Sequence, residues 1–183
     1  MRPIPSVARL QGGVFTVAQA ATAGWTRSAL RHAVSNGQLL VVRRGILAVP
    51  PTPTDLPWLA SEARHRIATA AALLAKPGSV ASHASVGLLL DIPILDPDTA
   101  PCVTVAAGRA SELAGVHVHR ARLDPPIHLG NLPLTHPALA VVDTAGEHGR
   151  AAGLVIADAA LGNSLITSAD LARALDARQG WLV

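Results

Sequence analysis

Thr16-Val-Ala-Gln-Ala-Ala-Thr-Ala-Gly24-Trp-Thr26-Arg-Ser-Ala-Leu-Arg-His-Ala-Val-Ser-Asn-Gly37 holds two helix starts and two helix stops in succession. Thr16 and Gln19 have the spacing of a capping box, the alanine-rich stretch Val17 to Ala23 favours helix, and Gly24 breaks it. Thr26 can cap the next helix, Arg27 to Asn36, which Gly37 is placed to terminate in the left-handed conformation. Two short helices joined by a glycine-bearing turn make a helix-turn-helix. On the second of them Leu30, Ala33 and Val34 fall on one face at spacings of three and four, and should turn inward with Trp25 and Phe15. Arg27, Ser28, Arg31, His32 and Ser35 fall on the opposite face, with Thr26 at its start. These side chains suit contact with phosphates and base edges when a helix lies in the major groove.

Working outward, Ser6 to Gln11 reads as a short opening helix stopped by Gly12-Gly13. On the other side, Leu39 to Val42 and Ile46 to Val49 are β-prone runs flanking Arg43-Arg44-Gly45, which predicts a hairpin with two positive charges at its tip. Helix, turn, basic helix and basic hairpin in that order describe a winged helix-turn-helix for double-stranded DNA. Charge agrees with it: residues 1–50 contain Arg2, Arg9, Arg27, Arg31, Arg43 and Arg44 and no acidic residue, although the whole chain is only +3. Such a local excess is the electrostatic footprint of a polyanion binder.

Prolines 50, 51, 53 and 57 cannot continue a helix or a central strand. They divide the chain into a DNA-binding domain at 1–50, a linker at 51–57 and a second domain at 58–183. A module of fifty residues buries little core alone and is expected to lean on the second domain or another subunit. The second domain should open with a helix from Trp58 to Lys76, with Leu59, Ala63, Ile67, Ala70 and Leu74 as its apolar stripe, ended by Pro77-Gly78. A helix over Ser82 to Leu90, capped by Ser82, and a loop from Asp91 to Pro101 follow. Strands are expected at Cys102 to Ala106, Val116 to Arg122, Ile127 to Leu129 and Leu132 to Leu134, then helices at Pro137 to Ala145, Ala151 to Leu161 and Ser168 to Arg178, the last capped by Thr167. The fold class is therefore α+β: an N-terminal winged helix-turn-helix followed by a mixed α+β domain with a small central sheet and C-terminal helices.

Over roughly residues 13 to 178 the sequence resembles the AbiEi-type antitoxins of bacterial type IV toxin-antitoxin systems. The resemblance is carried by Val14-Phe15-Thr16, by Gly37-Gln-Leu-Leu-Val-Val-Arg-Arg-Gly45, by Ser82-His83-Ala84-Ser85, and by Leu132-Pro133-Leu134-Thr135 leading to Val141-Val142-Asp143. It implies a winged helix that represses the protein's own promoter and a second domain active against a nucleotidyltransferase-type toxin. Only the basic helix and the wing carry over as functional residues. The chain departs from the family in having no tyrosine after the wing glycine and in having Leu139 where an arginine commonly precedes the aspartate at Asp143. Many relatives continue into a nuclease-like domain, which is not expected in a chain that stops at Val183. The rivals to this reading are a transcription regulator without a toxin partner and a remnant of a nuclease-like enzyme.

Catalytic and metal chemistry find little support in the spacing. His117 and His119 alternate on one strand with His128 beyond, but no Cys, Asp or Glu stands nearby at a ligand spacing. Asp143, Glu147 and His148 could serve metal-assisted hydrolysis, yet no lysine follows at catalytic spacing, and Asp143 reads as a helix-terminal hydrogen-bonding residue. Ser82, His83 and Ser85 lack the glycines of a nucleophile elbow, and no phosphate-binding glycine loop occurs. The expectation is a non-enzyme without cofactor or metal. The lone Cys102 should be a buried structural thiol. No apolar run reaches the length of a membrane span and the start lacks a signal-peptide core, so a cytoplasmic protein without membrane contact is expected. Palindromic operators would suit a homodimer, although no interface can be read from the sequence.

Overall fold

The computed structural model describes residues 3–96, 100–106 and 113–178, so Arg2 and part of the expected loop at Asp91 to Pro101 lie outside the described residues. The opening helix is a 3₁₀ segment, Ser6–Gln11. Strand β1 (Val14–Thr16) leads into α1 (Val17–Thr22), where the capping box forms: the Gln19 N–H donates to Thr16 Oγ1 at 3.1 Å and the Thr16 N–H to Gln19 Oε1 at 2.8 Å. Helix α2 (Arg27–Ser35) begins with Thr26 Oγ1 accepting from the Ala29 N–H at 3.2 Å. Strands β2 (Leu40–Arg43) and β3 (Ile46–Ala48) form the wing, and the sheet order β1-β3-β2 is antiparallel throughout. This is the winged helix-turn-helix that the sequence predicts.

Period-two alternation lets this small sheet bury both faces. Phe15 and Leu47 join Trp25, Leu30, Ala33 and Leu39 in a core beneath α1 and α2. Val14, Ile46 and Ala48 point the other way, into a second cluster shared with Ala70 to Leu73 and Leu132. The module therefore leans on the rest of the chain, as its size requires.

Helix α3 (Pro57–Ala75) supplies that support, and Pro57 is its first residue rather than part of the linker, a position where the missing N–H costs nothing. Of the expected stripe, Ala70 is buried and Ile67 and Leu74 pack against the core, but the buried side also takes in residues outside it. Leu59 is exposed, whereas Ser61, His65 and Thr69 are buried together with Ala70 to Leu73. Small alanines allow close packing, and the buried polar groups are satisfied: Thr69 Oγ1 donates to the His65 carbonyl at 2.9 Å, and His65 Nε2 lies 2.7 Å from Ser85 Oγ. Apolar spacing alone could not reveal that internally hydrogen-bonded side.

After α3 come β4 (Ser79–Ala81), which the sequence reading missed, and α4 (Ala84–Leu89). The expected cap Ser82 gives way to His83, whose side chain makes no capping bond. Strands β5 (Cys102–Ala106), β6 (His117–Ala121), β7 (Ile127–Leu129) and β8 (Leu132–Leu134) complete a mixed sheet of order β6-β5-β4-β8-β7. Helices α5 (Pro137–His148), α6 (Arg150–Gly162) and α7 (Ser168–Arg178) pack with α4 around Leu88, Ile92, Val141 and Ile156. At the start of α7 the Asp170 N–H donates to Thr167 Oγ1 at 3.2 Å, the cap expected there. No helix among the described residues is long and apolar enough to cross a membrane.

Candidate nucleic-acid interface

Burial of Leu30 and Ala33 fixes the rotation of α2 and leaves Arg27, Ser28, Arg31, His32 and Ser35 exposed with Thr26. Arg27 and Arg31 are one helical turn apart and share a face. Both border a groove of about 650 Å³ between α2 and the wing, where Ser35, Val41 and Gly45 also contribute. Two hydroxyls are partly engaged within the helix: Ser35 Oγ donates to the His32 carbonyl at 2.9 Å, and Ser28 Oγ lies 3.0 Å from Thr26 Oγ1. The guanidiniums and the His32 ring are the far-reaching groups of this face.

The two wing arginines differ. Arg43 is half-buried and its Nη2–H donates to the Ala114 carbonyl of the second domain at 2.9 Å. Burial also lowers its pKa from the usual value. Arg44, next to the turn residue Gly45 (φ 78°), is exposed. We therefore expect Arg44→Ala to weaken all duplexes about equally and to reduce the log-log salt slope by about 0.9, the contribution of one phosphate contact. Anisotropy titrations over a salt series read both quantities.

The residues weighed for catalysis are rearranged relative to their sequence reading. Asp143 lies inside α5, not at its end, and both of its oxygens accept from Arg178, from Nε at 2.6 Å and Nη2 at 2.8 Å. That pair fastens α7 to α5 and engages the carboxylate on which a nuclease reading depends. His117 and His119 stand at the Glu147 carboxylate, with ring-nitrogen distances of 3.1 and 3.5 Å, whereas His128 is on β7 and exposed. His83 and His148 complete a ring around Glu147 at 3.7 and 3.5 Å. Buried Cys102 places Sγ 3.9 Å from Glu147 Oε2. Sequence spacing could not show this cluster, because its members come from the β4–α4 junction, β5, β6 and α5.

Burial first, and the nearby His119 second, lower the His83 pKa to about 4. Burial opposes ionisation of Glu147, but the surrounding histidines, His83 foremost, hold its pKa below the ordinary value. Burial and then Glu147 push the Cys102 thiol up to about 12, which fits an inert structural thiol. An unfolded histidine titrates near 6.5, so below that pH the unfolded chain binds a proton that folded His83 refuses. Stability is thus lost as pH falls from about 6.5 toward 4. In metal-free buffer the loss at pH 5 should be about 1–2 kcal/mol relative to pH 7, read from urea midpoints, and His83→Gln should flatten the dependence.

Residues 2–50 match a family model described as "Transcriptional regulator, AbiEi antitoxin". Among solved structures, the chain is similar to the crystal structure of the RV2827C protein from Mycobacterium tuberculosis, at 20% identity and a TM-score of 0.46, over 96% of this chain and 73% of that one. No curated protein matches.

Proposed function

We propose, from the match of residues 2–50 to a family of regulators and antitoxins, that this protein is a double-stranded-DNA-binding autoregulator and the antitoxin of a type IV toxin-antitoxin pair. The observation that carries the reading is the α2 face, where Arg27, Arg31 and His32 project beside a basic wing in a module without any acidic residue. In the proposed complex α2 enters the major groove, where Arg27, Ser28, Arg31 and His32 line the contact. Thr26 and Ser35 flank that contact, and Arg44, with Arg43 behind it, grips phosphates beside the groove. Arg31, in the middle of the exposed face, is assigned base reading, because a guanidinium can donate two hydrogen bonds to a guanine edge. Two copies on a palindromic operator would place two such helices about one DNA turn apart.

The antitoxin part rests on the family match and on the sequence resemblance, and it implies a nucleotidyltransferase-type toxin encoded alongside. Co-expression of this chain with a neighbouring nucleotidyltransferase tests it: rescue of growth supports the pairing, and unrelieved toxicity rejects it. A promoter-reporter fusion tests autoregulation separately. Repression by the intact chain, relieved in Arg27→Ala/Arg31→Ala, is expected. Unchanged reporter output with and without the protein would reject it.

A further inference from the structure

The geometry points to a metal site in the second domain, in which His83 Nε2, His119 Nε2 and a Glu147 oxygen hold a divalent first-row transition metal, with zinc the best-suited ion. The three ligand atoms lie within 4.8 Å of one another. Both imidazole nitrogens approach the same carboxylate oxygen, at 3.7 Å from His83 and 3.5 Å from His119. Tetrahedral zinc with bonds of about 2.0–2.1 Å separates its ligand atoms by roughly 3.3 Å, close to the spacing here, and the stacked His83 and His119 rings must tilt apart for both lone pairs to meet the ion. Two imidazoles and one carboxylate suit zinc and its neighbours, whereas calcium and magnesium demand oxygen ligands.

Three further observations single out this arrangement. His119 Nε2, like His148 Nε2, is buried 3.5 Å from Glu147 Oε2 and makes no hydrogen bond, which leaves a ligand atom beside the carboxylate without another role. The groups that orient metal ligands are in place: His83 Nδ1 lies 3.0 Å from Ser82 Oγ, leaving Nε2 for the ion, and the other Glu147 oxygen, Oε1, lies 3.1 Å from His117 Nδ1. His83 also has φ 53° and ψ −144°, close to a backbone region otherwise reserved for glycine, although it is a bulky residue. Such strain persists where the surroundings fix a side chain for use. Here it directs a buried ring, stacked on His119 with centroids 3.8 Å apart, toward Glu147.

The alternative trio of Cys102, His117 and Glu147 shares the carboxylate. It would require Glu147 Oε1 to abandon His117 or Oε2 to leave the first pair, so we assign the ion to His83, His119 and Glu147. These residues border a cleft of about 590 Å³ that also contains Thr104, Asp143 and Arg178. Three protein ligands leave a fourth position for water or a small anion on that side. An ion there would tie the β4–α4 junction, β6 and α5 together, in a part of the molecule that the DNA-binding reading does not involve.

The test is zinc titration of the chelator-stripped full chain against a chromophoric zinc indicator, with cobalt as a spectroscopic substitute. Stoichiometric zinc binding is expected, with cobalt bands of a low-coordinate nitrogen-oxygen site. His119→Ala and Glu147→Ala should lose both, while His128→Ala binds as the parent does. Because the cluster sits against the core, circular dichroism checks that the ligand variants fold. If they do not, Ser82→Ala decides: an affinity weakened by about 10–100-fold supports the site, and an unchanged affinity overturns it. A parent chain that takes up no zinc, or folded ligand variants that retain it, overturns the assignment. Duplex binding by the same preparations reports separately on the winged helix, so failure of one reading is distinguishable from failure of the other.

Discussion

Arg27→Ala/Arg31→Ala is expected to lower affinity for the preferred duplex by about 100-fold or more, while affinity for an arbitrary duplex falls much less. A bidentate arginine–guanine contact is worth about 1–3 kcal/mol of discrimination, and a phosphate contact acts on every sequence alike. Both side chains are exposed on one face of α2, and Leu30 and Ala33 anchor the opposite face in the core. Alanine favours helix, so the substitutions should leave α2 folded. The single variants separate the roles. Arg31→Ala should erase most of the preference between duplexes, and Arg27→Ala, at the first turn, should act mainly through the salt-dependent component. Equal loss for preferred and scrambled DNA in Arg31→Ala would remove base reading from that residue.

Gly130→Ala is expected to destabilise the fold by roughly 2–4 kcal/mol, combining the cost of a left-handed alanine with that of an overpacked contact. Gly130 sits in the β7–β8 turn at φ 59°, and a Cβ there would lie 2.6 Å from the Leu10 carbonyl oxygen. That oxygen also accepts from the Asn131 N–H at 2.7 Å. The turn is where the second domain's sheet grips the segment preceding the winged helix, and a backbone carbonyl cannot swing aside as a side chain can. Gly115→Ala is the control: its φ is 68° but nothing lies within 4 Å of the added Cβ, so it should cost only the conformational share, about 1–2 kcal/mol. Urea denaturation of the three proteins measures both. Equal effects for the two variants would mean that the Leu10 contact contributes nothing.

Local signals were readable in the sequence wherever the physics is local. The Thr16–Gln19 box, the Thr26 and Thr167 caps and the β2–β3 hairpin all depend on residues a few positions apart, and all are present. Strand β4 escaped notice because it is only Ser79–Ala81, small residues directly after a helix stop, and its strand character comes from pairing with β5 and β8. The polar part of the buried side of α3 is illegible for a related reason: His65 and Thr69 become core residues only once Ser85 and the helix backbone satisfy them.

The candidate sites divide in the same way. The α2 face could be read from helical periodicity, since exposure follows from which residues are buried. The different situations of Arg43 and Arg44 could not, because Ala114, which accepts from Arg43, is far along the chain. Nor could the pairing of Asp143 with Arg178, or the gathering of His83, His117, His119 and His148 around Glu147. Those contacts are products of sheet order and helix packing, on which sequence spacing is silent.

The central claim, that α2 and the wing bind duplex DNA, is tested most directly by fluorescence anisotropy of the purified chain on its own upstream DNA and on a scrambled duplex across a salt series. The expected result is tighter binding of the upstream duplex, with a log-log salt slope of several units, each phosphate contact adding about 0.9. Absence of binding to either duplex at low salt would contradict the claim and make the winged helix a surface for another protein.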